Sequence, residues 1–277
     1  HLLVMSATPI PRTLALLMYG DLDVSILDEL PPGRQSVDTF LVNESYRPRI
    51  NNFIRKHAAN GNQIYVVCPA VEETDGMSLK SATEWAETLQ TAVFPDLRVA
   101  LLHGQMKGAE KERVMSEFAK GNADILVATT VIEVGVDVPN ATLMIVEDAD
   151  RFGLSQLHQL RGRVGRGQDK SYCILTSHNR NPETLQRLKA FCKTTDGFKI
   201  AQEDLKMRGP GDFFGSRQSG LPTFRVASLG SDLETLTIAQ QASMDWIERH
   251  GTADTPEAKA LRSRIQTLFE RSEGTMN

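Results

Sequence analysis

The chain has 277 residues, with 31 Lys and Arg against 35 Asp and Glu, a formal net charge of −4, 40% hydrophobic and 24% charged residues. That length holds one large or two ordinary domains with real cores, and the composition argues against both a disordered chain and a membrane span. The mild acidity carries no global signal of a nucleic-acid binder, although a local basic groove on an acidic protein stays open.

In chain order, His1-Leu2-Leu3-Val4-Met5 is a short apolar run without a charged n-region, which reads as a strand and not as a signal peptide. Ser6-Ala7-Thr8-Pro9 follows it. Its hydroxyls suit either a hydrogen-bond relay beside a nucleotide at a strand's carboxyl end or a helix N-cap. Pro11 and Gly20 bracket a helix, and Asp28-Glu29-Leu30-Pro31-Pro32-Gly33-Arg34 is a turn-rich connector. One strand and one helix cannot bury a core, so residues 1–30 are expected to be the end of a preceding domain.

Apolar runs then alternate with helical patterns, with strands expected at 63–69, 98–103, 124–129, 143–147 and 171–176. This alternation predicts an α/β fold with a mostly parallel sheet over 31–178. Gly61 and Gly121 stand where left-handed helix ends are wanted, Ser81 and Glu84 have capping-box spacing, and 107–120 reads as an amphipathic helix. After about residue 177 the strands stop. Helices are expected at 182–195, 233–249 and 255–271, the last with Ala258, Leu261, Ile265, Leu268 and Phe269 at core-facing spacing, and a Gly- and Pro-rich loop fills 208–222.

Two segments carry chemistry. In Ala128-Thr129-Thr130-Val131-Ile132-Glu133-Val134-Gly135-Val136-Asp137-Val138-Pro139 a strand delivers two threonines, then a turn around Gly135, then Asp137. Thr129 and Thr130 can hold a nucleic-acid phosphate, Gly135 lets backbone approach a nucleotide and Asp137 can accept from a ribose hydroxyl; a purely structural turn fits the same spacing. Gln159-Leu160-Arg161-Gly162-Arg163-Val164-Gly165-Arg166-Gly167 puts three arginines and three glycines into nine residues. Arginine is a planar cation with forked donors, suited to charge developing on a transferred phosphoryl group, to a nucleic-acid contact or to a solvated helix end.

Other residues take plainer readings. Glu147 and Asp148 end a strand, but no Gly-x-x-x-x-Gly-Lys-Ser/Thr loop occurs in these residues, so a complete Mg²⁺ phosphate-loop site is not expected from them and no metal ligands are assigned. His103 and His158 lack metal or triad spacing, and Trp85 and Trp246 read as packing residues. Cys68, Cys173 and Cys192 sit in apolar surroundings and read as reduced buried thiols, which suits a cytoplasmic protein.

Taken together, Ser6-Ala7-Thr8, Leu102-His103-Gly104-Gln105-Met106, the block from Ala128 to Pro139 and the run from Gln156 to Gly167 resemble the later motifs of superfamily 2 helicases. Ser6-Ala7-Thr8-Pro9-Ile10-Pro11-Arg12-Thr13-Leu14-Ala15 resembles the branch that contains the RecG and Mfd families. Asp204-Leu205-Lys206-Met207-Arg208-Gly209-Pro210-Gly211-Asp212-Phe213-Phe214-Gly215-Ser216-Arg217-Gln218-Ser219-Gly220 is closer to RecG, though Phe213-Phe214 stands where related sequences often carry Leu.

The resemblance implies an ATP-driven translocase of double-stranded and branched DNA that uses Mg²⁺. It implies a second RecA-like helicase lobe in this chain, followed by a helical hairpin and translocation loop over 179–277. A first lobe and a wedge domain would lie upstream as partners. By position, Arg163 and Arg166 match arginine fingers and Gln159 a coupling residue; Gly135 and Asp137 match nucleotide contacts; Thr129 and Thr130 match DNA contacts. Arg208 and Gln218 match the translocation loop, and Ser6 and Thr8 a relay of nucleotide state to DNA grip. An Mfd-like translocase, a non-catalytic DNA-binding module and, more remotely, a dinucleotide-binding enzyme stand as alternatives.

Overall fold

The structure, a computed structural model, describes residues 36–69, 77–129, 137–208, 233–250 and 255–273, together with Leu3, Met5, Ser25 and Leu27. The strand expected at 2–6, the helix after Pro11 and the connector at 28–34 lie outside this description or are touched by it only at single residues.

Six parallel strands form one sheet in the order β1-β6-β5-β2-β4-β3. They are β1 (Asp38–Val42), β2 (Gln63–Val67), β3 (Val99–Leu102), β4 (Ile125–Ala128), β5 (Ala141–Val146) and β6 (Tyr172–Thr176). The helices between them are α1 (Arg47–Ala59), α2 (Met77–Thr88, continued by a wider π-type turn at Leu89–Val93), α3 (Gly108–Ala119) and α4 (Leu154–Arg161), and α5 (Pro182–Lys193) and α6 (Gly197–Arg208) follow β6. The expected α/β parallel sheet is present. It gains β1, which the sequence reading left out because Asp-Thr-Phe-Leu-Val at a half-exposed edge lacks a continuous apolar run.

Strand alternation sends successive side chains to opposite faces and so builds two cores. Ile64, Val66, Ile125, Val127, Leu143 and Ile145 pack with Ile50 and Ile54 of α1 and Ala82 and Ala86 of α2. Tyr65, Val67, Leu126, Met144, Val146 and Leu175 pack on the other face with Met115 and Phe118 of α3, Leu157 and Leu160 of α4 and Leu188 and Phe191 of α5. Buried on both faces, the central strands are the near-continuous apolar runs that a covered parallel sheet requires.

The helix ends at Gly61 and Gly121 fall as expected, with φ of +80° and +78°. Ser81 does not cap a helix: α2 already begins at Met77, which leaves Ser81 in its second turn. Gln63 is buried at the start of β2, and its Nε2 donates to the Phe118 and Ala123 carbonyls, tying the end of α3 to the approach of β4.

His57 closes the amino end of the first core. Its Nδ1 lies 2.8 Å from Thr142 Oγ1, and its ring packs edge-on against Phe53 and Tyr172. Burial, helped by Lys56 and opposed by Asp169, holds the imidazole below its usual pKa. The folded ring is therefore neutral while the unfolded chain binds a proton near the ordinary value. Stability is full above that value and is lost as pH falls from it towards the folded value. Thermal unfolding followed from about pH 7 to about pH 5 should show a falling Tm, and His57→Gln should flatten the slope. An equally steep slope in the variant would remove His57 as its source.

The chain divides into two compact units, one closing at Ala201 and the other resuming at Gln202. The second contains α7 (Leu233–His250) and α8 (Pro256–Glu273). Ala258 is fully buried as expected, but Leu261 and Ile265 are each 43% exposed, which corrects the expected core face. A helix stripe becomes core only where a second apolar surface covers it. The neighbouring α7 itself leaves Ile238, Met244 and Ile247 exposed. Among the described residues no helix is long and apolar enough to cross a membrane.

Candidate functional site

Within the arginine cluster the structure separates three side chains of similar sequence context into two kinds. Arg161, the last residue of α4, is 4% exposed and turned into the protein. Its NH1 donates to the carbonyls of Thr194 (2.9 Å) and Phe191 (3.3 Å), and its guanidinium lies 4.2 Å from the centre of the Phe191 ring. It thereby caps the end of α5, where exposed carbonyls form the negative pole of the helix. Arg161 is a structural clamp and has no reach to an outside phosphate.

Arg163 and Arg166 leave that core. Arg163 is half-buried, with its backbone N–H bonded to Leu160 O at 2.9 Å, and Arg166 is exposed after Gly165 turns the chain with φ of +76°. Arg166 NH1 lies 3.2 Å from Asp137 Oδ1, and its Nε donates to Gly162 O at 3.1 Å. One residue predicted to touch nucleotide, Asp137, and one predicted finger, Arg166, are thus brought together. Between them, Val164 and Val138 are buried in the same cluster as Tyr65. Burial pushes the Tyr65 phenol up to about 12; Arg163 and Arg166 pull it down and Asp137 pushes it up, so the ring senses all three charges.

A backbone contact fixes this meeting. A Cβ on Gly167 would lie 2.5 Å from Pro139 O, so only glycine allows so close an approach. Pro139 stands two residues before β5, whose Ala141 pairs with Gln63 at the start of β2. The arginine loop therefore lies on the sheet face near the amino end of β5. Thr129 sits elsewhere, buried at the carboxyl end of β4, where its N–H extends the ladder to Leu102 O at 3.1 Å. Gln159 is half-buried on α4. Ser6, Thr8, Thr130, Gly135, Gln218 and the side chain of Arg208 lie outside the described residues.

At the carboxyl ends of β5 and β6, Glu147 and Asp150 are already engaged. Arg47 holds Glu147 with two bonds of 2.6 and 2.8 Å, and Thr176 Oγ1 donates to Glu147 Oε2 at 2.6 Å. Asp150 accepts from Ser177 and Asn179. Glu147 is thus held in an ion pair and a hydrogen bond at the end of β5, and no group of three metal-ligating side chains occurs among the described residues. Cys68, Cys173 and Cys192 are free thiols, with burial raising their pKa values to about 12, about 12 and about 11.

Comparison with known proteins converges on one family. Residues 47–168 match the helicase conserved C-terminal domain, and residues 194–273 match the C-terminal part of domain 3 of the ATP-dependent DNA helicase RecG. A solved structure of RecG bound to a three-way DNA junction is 50% identical, with a TM-score of 0.67 over 84% of this chain and 30% of that one. The chain belongs to the RecG family. RecG helicases of Aquifex aeolicus and Escherichia coli O157:H7 are 54% and 47% identical over 90% and 98% of this chain. The chain spans only 32% and 39% of those two relatives, so it corresponds to the C-terminal part of a RecG protein. In RecG terms the β-sheet unit is the second RecA-like lobe. The sequence left undecided which arginine of the cluster is structural and held no local sign that Pro139 and Gly167 touch.

Proposed function

We propose that the full-length protein containing this chain is an ATP-dependent translocase that remodels branched duplex DNA, acting in recombination and repair in the cytoplasm. The observation that carries this reading is the convergence of Arg163, Arg166 and Asp137 on one loop pair, in a chain half-identical to a RecG solved on a three-way junction. Two guanidiniums on a rigid lobe can neutralise charge that develops as a water displaces ADP from the γ-phosphorus of ATP. They act across a cleft, so they contribute when lobe closure brings the phosphate to them.

In this reading residues 1–30 belong to the end of the first lobe, 31–178 form the second and 179–277 form the translocation element. The first lobe holds ATP and Mg²⁺, and a wedge domain meets the junction. Gln159 couples the finger loop to the first lobe, Gly135 and Asp137 contact the nucleotide, Thr129 and Thr130 grip a DNA phosphate, Arg208 and Gln218 work in the translocation loop, and Ser6 and Thr8 relay nucleotide state. Thr129 and Asp137 occupy different parts of the lobe, which suits separate DNA and nucleotide contacts. Grip through phosphates would be independent of sequence and weakened by salt.

The 277-residue chain by itself should show no DNA-stimulated ATP hydrolysis, while the full-length protein should hydrolyse ATP and unwind a three-way junction. Turnover by the isolated chain would defeat the division of labour between lobes. Failure of the full-length protein on junction DNA would defeat the reading itself.

A further inference from the structure

Arg166 does not simply project from the lobe. Its guanidinium is held at two points, by Asp137 Oδ1 at 3.2 Å and by the Gly162 carbonyl at 3.1 Å, which folds it back over the carboxyl end of α4. The negative pole of that helix and the Asp137 carboxylate both favour a cation there. The Pro139–Gly167 backbone contact sets the spacing of the two segments, so the pair does not depend on side-chain reach alone. Both partners are accessible, with the Arg166 side chain 31% and the Asp137 side chain 58% exposed.

We propose that Asp137 is a positioning residue for Arg166: without nucleotide its carboxylate parks the guanidinium, and a ribose hydroxyl that claims the carboxylate frees Arg166 to turn to the phosphates. This rests on the nucleotide-facing reading of Asp137 and Arg166 given above and adds an exchange of partners between them. The magnitudes permit it. An exposed ion pair of this kind holds its arginine by about two- to fivefold, whereas an arginine on a transferring phosphoryl group is worth about 10³- to 10⁵-fold in rate. The parked state is therefore strong enough to be occupied in empty protein, and to hold back about a two- to fivefold share of the rate, until the ribose claims the carboxylate. It links recognition of the sugar to delivery of the charge, so that a polyphosphate lacking the ribose hydroxyls is bound without efficient recruitment of Arg166.

The exchange makes a crossing prediction in the full-length protein, with junction DNA present and turnover measured at saturating nucleotide. On ATP, Asp137→Asn should be slower than the unaltered protein, because the ribose contact is lost. On 2′,3′-dideoxy-ATP the same variant should be faster than the unaltered protein by about two- to fivefold, because nothing then releases the parked arginine of the latter. Asp137→Glu should restore the original order. If Asp137→Asn is slower on both nucleotides, or equal to the unaltered protein on the dideoxy analogue, the parking role is overturned. Absence of ATP turnover by the unaltered protein would instead overturn the functional reading.

A second measurement needs no variant. Phenylglyoxal labelling of Arg166, read by peptide mass spectrometry, should rise when ADP is added, since ADP brings the ribose but no γ-phosphate. Unchanged or reduced labelling would count against the exchange.

Discussion

Arg163→Ala in the full-length protein should lower DNA-stimulated ATP hydrolysis by about 10³- to 10⁵-fold, with duplex binding largely retained. The size follows from where the side chain stands. Arg163 is the half-buried arginine that follows α4, anchored by its backbone to Leu160 and near enough to the buried Tyr65 phenol for its charge to pull that pKa down. Within the arginine cluster Arg161 cannot take its place, because it is buried and committed to the end of α5, and Arg166 stands at its own position beside Asp137. Arg163→Lys keeps the charge and loses the planar fork, so it should recover only part of the rate. Gel-shift and ATPase assays on the same preparations decide the matter. Equal loss of binding and hydrolysis would make Arg163 a DNA ligand or an element of the fold.

Gly167→Ala should have the next largest effect although it changes no charge. The added Cβ meets Pro139 O at 2.5 Å and Pro139 C at 3.3 Å, and both are backbone atoms with no flexible end to yield. One segment has to shift by roughly 1 Å, and a displacement of that order at a reacting centre costs about 10²-fold in rate. Overpacking of this kind also costs about 1 to 3 kcal/mol of stability. Gly108→Ala, where a new Cβ meets nothing within 4 Å, serves as the matched control. Normal kcat in Gly167→Ala would mean that this contact does not set the position of the arginines.

What the sequence disclosed follows its physics. Strands β2, β4 and β5 were legible because a strand covered on both faces is a nearly unbroken apolar run, whereas the edge strand β1 mixes Asp38 and Thr39 with a half-exposed Phe40 and carries no such run. The pairing of Arg166 with Asp137 was within reach as a joint assignment to one ligand, but not as a contact between the two. Sequence proximity worked against Arg161: its neighbours are functional candidates, yet its carbonyl partners lie some thirty residues downstream, with |i−j| of 30 and 33. Ser81 illustrates the opposite error, a correct capping spacing overruled by a helix that starts one turn earlier. Leu261 and Ile265 have the right period for a core face, and periodicity alone does not say whether a surface exists to cover it.

One consequence concerns Thr129 and Asp137, which lie at the carboxyl end of β4 and just ahead of β5 respectively, with seven residues of chain between them. An extended chain of that length reaches at most about 3.3 to 3.6 Å per residue. In the proposed roles, a residue that grips a DNA phosphate and a residue that meets the sugar of ATP are therefore tethered by one short run of backbone. Under that proposal so short a tether would keep a step along the duplex in phase with the turnover of one nucleotide.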